Sequence, residues 1–72
     1  MTPVYHWRIP FSDEYSRMYS HLIAVTDEPL THRACMPGRI VNTAMLEMPT
    51  PRTRRCAYCL KFLADCRIEV KA

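Results

Sequence analysis

The sequence predicts a small α+β fold in which a knuckle, a short β-hairpin and a C-terminal helix are preceded by an extended N-terminal arm. Three observations carry that prediction. Two pairs of soft side chains, His32-x2-Cys35 and Cys56-x2-Cys59, stand twenty residues apart. The only glycine, Gly38, and then Pro49 and Pro51 punctuate the stretch between them. Apolar residues recur at helical spacing directly after the second pair. Zn²⁺ is commonly held in a tetrahedron by two such pairs, with two to four residues between the members of each.

Length makes a staple necessary. A chain of 72 residues buries a smaller share of its surface than a larger one, and domains of this size often need a disulfide, a metal or a partner chain. The opening residues, "MTPVYHWRIPF", carry neither a basic region nor an apolar run of signal-peptide type, and no stretch of eighteen apolar residues occurs. A cytoplasmic protein without membrane association is therefore expected. In a reducing compartment Cys-x-x-Cys points to a metal or redox site rather than a disulfide. A thioredoxin-like site is not expected, since it needs a βαβ context and the motif sits late in these residues.

Residues 1–16 read as the arm, with Tyr5, Trp7 and Phe11 as its aromatics and a helical turn capped by Ser12; residues 17–72 read as a single zinc-binding domain. The β-branched end of "YSHLIAV" predicts a strand over 19–25, although Tyr15, Met18, Tyr19 and Leu22 also fit helical spacing. A turn at "TDEP" returns the chain toward His32 and Cys35. Gly38 is expected at positive φ, where a knuckle turns its N–H groups to a sulfur. "RIVNTAMLEM" predicts short strands over 39–41 and 44–48 about a turn at Asn42-Thr43. A helix follows from 56 or 57 to 66, with Cys59, Leu60, Leu63 and Cys66 on its buried face, and "IEV" after it reads as an edge strand or a frayed end.

The order of knuckle, ribbon and helix resembles the treble-clef class of zinc finger. "SHLIAV", "LTHRACMPGR" and "RRCAYCLKFL", spanning residues 20–64, further resemble the small zinc-finger proteins frequent in actinobacteria and their phages. Those carry a His-Leu near a first strand, a Thr-x-x-Cys-Gly-like knuckle and a Cys-x-x-Cys with an apolar helix. Here Met36-Pro37 intervene between Cys35 and Gly38. By that resemblance the fourth ligand is His21, and a phage-encoded chain would act in the host cytoplasm. Local spacing instead gives His32, which one turn would hold near Cys35. The expected set is thus His32, Cys35, Cys56 and Cys59 around one structural Zn²⁺, with His21 as the alternative to His32. Cys66 reads as a buried small residue. The sharper alternative makes it a fourth thiolate on an iron–sulfur cluster, resembling the WhiB-like proteins, whose last cysteine gap is five residues where this one is six.

Charge separates along the chain. Residues 1–32 hold two basic and four acidic side chains, whereas residues 33–72 hold eight basic and three acidic ones. There are no paired carboxylates with a site, no nucleophile and base at motif spacing and no phosphate-cradling glycine loop. The expectation is a non-enzymatic protein with no small-molecule substrate. Two readings follow. One is a protein-interaction module, accessory or regulatory, docking Tyr5, Trp7 and Phe11 on a larger protein partner. The other is a nucleic-acid-binding regulator placing Arg39, Arg52, Arg54, Arg55 and Lys61 on phosphates. The first is preferred at this stage, because +3 is a modest net charge for a nucleic-acid binder and no recognition helix is evident.

Overall fold

The first described strand is the one with which three others pair. In the computed structural model, which describes residues 4–10 and 18–71, β1 (Val4–Pro10) alternates partly buried and buried residues. Such alternation is what a strand with a well-packed face produces. It pairs antiparallel with β2 (Tyr19–Ala24), Trp7 opposite Leu22 and Arg8 opposite His21.

The next strands, β3 (Leu30–His32) and β4 (Ile40–Asn42), form a separate hairpin in which Thr31 faces Val41. A single 3-10 turn (Thr43–Met45), capped by the Asn42 side chain, leads into β5 (Leu46–Glu47). β5 pairs with the far end of β1. After the two prolines, β6 (Arg54–Arg55) runs parallel to the start of β2. Helix α1 (Ala57–Asp65) follows, and β7 (Glu69–Lys71) closes the chain parallel to β1.

The core lies between β1, β2 and α1. Tyr5, Trp7, Leu22, Ala34, Cys56 and Cys59 are buried together, with Phe62, Leu63 and Val70 packed against them. Phe62 meets the Tyr5 ring edge-on at 5.7 Å, a favourable aromatic arrangement.

The α+β class, the strand at 19–24 and the C-terminal helix agree with the sequence reading. Four local expectations do not. Val4–Pro10 is no extended arm: it is a paired strand at the centre of the sheet, and Tyr5 and Trp7 are 6% and 8% exposed. Scattered prolines masked the odd-numbered alternation of Tyr5, Trp7 and Ile9. Phe11 and the helical turn at Ser12 lie outside the described residues. Gly38 has no positive φ, because within the β3–β4 loop it lies in a turn closed by the Arg39 N–H on the Met36 carbonyl at 3.0 Å, a turn that negative φ values satisfy. Hence Ile40–Asn42 pairs backward with β3 instead of forward with 44–48. On α1 the inward residues are Cys59, Phe62 and Leu63, while Leu60 and Cys66 are exposed. Spacings of three and four from Cys59 select that stripe.

Candidate metal centre

Three segments converge on the edge of β2 that β1 leaves free. From one end β6 runs parallel along Tyr19 and Ser20, and the Cys56 N–H donates to the Ser20 carbonyl at 2.9 Å. From the other end the chain after β3 runs antiparallel. Arg33 bridges Ile23, and the Ala34 N–H donates to the Leu22 carbonyl at 2.8 Å. His21 stands in the gap between these pairings. The next residue of one segment is Cys56 and that of the other is Cys35, so the backbone register delivers both thiols to the imidazole.

Cys59 arrives through the helix. The Leu60 N–H bonds the Cys56 carbonyl at 3.0 Å, closing the first turn of α1, and residues three apart share a helix face. The Leu22 N–H then donates to Cys59 Sγ at 3.4 Å. That donor favours thiolate over thiol. The N-terminus of α1 adds to it: no acidic residue lies in the first turn and no side chain caps it, so its positive partial charge is left to the two sulfurs.

The result is a compact cluster. His21 Nδ1 lies 3.7 Å from Cys35 Sγ and 3.8 Å from Cys59 Sγ. The ligand atoms of His21, Cys35, Cys56 and Cys59 all fall within 4.8 Å of one another, close enough to hold one metal ion. Burial, with the charge of Arg33 behind it, lowers His21 to about 4, so its imidazole is neutral at neutral pH and ready to coordinate. Burial likewise pushes the Cys59 thiol up to about 12, against the Leu22 hydrogen bond, and raises Cys35. Without a cation these thiols hold their protons; a metal ion displaces them.

Arg33 is the unforeseen member of the site. It is 7% exposed, and its buried Nε makes no hydrogen bond. A buried N–H without a partner is costly, and the charge of the group acts on both His21 and Cys35.

The expected His32 is a correction. His32 belongs to β3, where its ring stands edge-on to Tyr5 at 6.2 Å. An x2 pair converges on one ion only if a turn lies between its members; here the chain stays extended through Arg33 and carries His32 away from Cys35. Cys66 is exposed and outside the cluster, which removes the four-thiolate iron–sulfur arrangement. Seven residues of helical rise put it about 10 Å from Cys59 along the axis.

The basic residues divide between faces. Tyr19 opposes Arg54 and Ser20 opposes Arg55, so alternation sends the two arginines to opposite sides. Arg55 stacks over Trp7, 4.9 Å from the ring centre. Arg54 instead shares a hollow with Met18 and Arg52. Lys61 is exposed on α1, one turn beyond the exposed Tyr58, while Arg39 closes the β3–β4 loop through a 3.0 Å bond to the Met36 carbonyl. No helix among the described residues is long and apolar enough to cross a membrane. No protein-family model, curated protein or solved structure matches the chain.

Proposed function

We propose that this chain is a non-enzymatic zinc-finger module of the cytoplasm whose single Zn²⁺, held by His21, Cys35, Cys56 and Cys59, is structural, and whose activity is binding a nucleic acid. The observation that carries the zinc assignment is the approach of His21 Nδ1 to two sulfurs at 3.7 and 3.8 Å. Zn–S bonds near 2.3 Å and Zn–N bonds near 2.0–2.1 Å in a tetrahedron set nitrogen and sulfur about 3.6 Å apart. Three thiolates and one imidazole fill the coordination sphere, the mark of a structural rather than a catalytic site. The agreement of His21 with the ligand implied by the small actinobacterial and phage fingers supports the same set.

A tris-thiolate zinc centre carries one negative charge, and Arg33 beside it supplies the opposite one. The choice of target follows from burial. An interaction module docking through Tyr5 and Trp7 loses its anchors, because both are in the core. Arg52 and Arg54 are exposed and line one hollow, as phosphate contacts require.

Native mass spectrometry of anaerobically purified protein tests the metal. One zinc per chain in a colourless sample is expected; iron with sulfide in a brown one would overturn the assignment. A salt-sensitive gel shift lost in the Arg52→Ala/Arg54→Ala double variant tests the target. A shift that survives the double substitution would reject these arginines.

A further inference from the structure

We propose that the surface running from the turn at residues 50–53 to Tyr58 is a groove for single-stranded nucleic acid, with phosphates on Arg52 and Arg54 and bases against Tyr19 and Tyr58. This rests on the nucleic-acid reading above and adds the form of the strand and the place where its bases go.

Three hollows adjoin along the β2 edge. The first, about 170 Å³, is walled by Met18, Arg52, Arg54 and the threonines at 50 and 53. The second, about 370 Å³, lies between Tyr19 and Tyr58 over His21 and Cys56. The third, about 290 Å³, reaches past Tyr58 to Met36 and Arg33 and is the mouth of the metal site, lined by His21, Cys35 and Cys56. The second and third share His21, Cys56 and Tyr58, and the first adjoins the second through the pairing of Arg54 with Tyr19, which puts the two side chains on one side of the sheet.

The chemistry of the walls selects the occupant. Tyr58 is 77% exposed although it sits beside the most buried part of the molecule, and Met18 and Tyr19 are exposed with it. Such a ring offers a stacking platform to any base, since every base has a π face. Among the described residues no acidic side chain lines any of the three hollows, and no hydrogen bond or ion pair engages the guanidinium of Arg52 or Arg54. The 50–53 turn that presents Arg52 is fixed: the Thr53 N–H donates to the Thr50 carbonyl and the Thr50 N–H to Thr53 Oγ1, both at 3.0 Å. Exposed cationic side chains thus lead into exposed aromatic ones along one edge. A duplex hides its base faces; a single strand presents phosphates and bases together.

The test is fluorescence anisotropy of the zinc-loaded full chain with a labelled oligo-dT strand, a labelled duplex of equal length and a labelled polyglutamate, each across a salt series. The strand is expected to bind at least about tenfold more tightly than the duplex. Tyr58→Ala should weaken strand binding about tenfold without changing the salt slope, and Tyr58→Phe should restore it. Arg52→Ala with Arg54→Ala should weaken it further and flatten the log–log salt slope by about 1.4, the contribution of two phosphates. Arg55→Ala, on the opposite face, should leave the affinity of the folded protein unchanged. The absorption of cobalt-loaded protein checks that each variant keeps its metal site. Equal binding of strand and duplex, with Tyr58→Ala harmless, overturns the single-strand groove and leaves the nucleic-acid reading standing. Absence of salt-sensitive binding to either, or tight binding of polyglutamate in their place, overturns both.

Discussion

At the scale of single residues, the two histidines make opposite predictions although each lies within reach of Cys35 in a sequence-based argument. His21→Ala removes an imidazole 3.7 and 3.8 Å from two sulfurs and is expected to abolish stoichiometric tetrahedral cobalt absorption. His32→Ala trims a ring packed edge-on against Tyr5 and is expected to leave that absorption intact; the reverse result would return the site to His32. Arg33 separates charge balance from packing. Its guanidinium is buried, has an unpartnered Nε and stands beside a centre that becomes anionic only when zinc and three thiolates are assembled. Arg33→Met should therefore lower zinc affinity about ten- to hundredfold, as for other groups that support metal ligands. Competition with a chromophoric chelator reads the effect. Unchanged affinity would show that Arg33 does not balance the centre.

At the scale of elements, the decisive strand is β1, and Trp7→Ala tests its standing. Trp7 packs with Leu22, Cys56 and Cys59 and carries Arg55 over its ring. Truncation is expected to cost about 3–5 kcal/mol, as for buried aromatics generally, with a small further loss from the cation–π contact. Urea denaturation of the zinc-loaded protein measures it; a loss below about 1 kcal/mol would be incompatible with a core role. The same strand shows what was legible in the sequence. The helix was, from the spacing of Cys59, Leu60, Leu63 and Cys66, although Leu60 and Cys66 turn out exposed and Phe62 takes the inward place, and so was β2, from its β-branched composition. The three cysteine ligands were legible from their spacing. The histidine was not, because the choice between His21 and His32 depends on which residues oppose one another across strands, and register is a long-range property. The even spacing of Leu22 and Ser20 against the odd His21 does contain the clue, since it turns His21 away from the residues that face Trp7. Tyr58 was invisible for a related reason: its exposure follows only from Cys59 facing inward.

At the scale of the whole molecule, the metal and the fold answer to the same protons. The buried core is small, and the cluster ties together β2, the β3–β4 segment and α1, which otherwise have a short helix and two-residue strands to hold them. Structural zinc contributes on the order of 10 kcal/mol in such chains, so chelation is expected to abolish the far-ultraviolet circular dichroism of the fold. The signs of the shifts define the pH window. His21 is lowered in the fold from 6.5 to about 4, so the unfolded chain binds the extra proton, and the metal-free fold loses stability as pH falls through that interval. Cys59 is raised from 9.0 to about 12, so here the fold holds the proton, and stability is lost as pH rises from about 9. Zinc binding must expel three thiol protons in either case, and apparent affinity should rise by about three decades per pH unit near neutrality. Below pH 6.5 the two descriptions of the metal-free chain diverge. If it is unfolded, its histidine is protonated there and the slope steepens to about four; if it retains the pocket, the slope stays at three down to about pH 4. Competitive zinc titration between pH 5 and 8 therefore reports whether the metal completes a folded chain or folds it, and the small core leads to the steeper line.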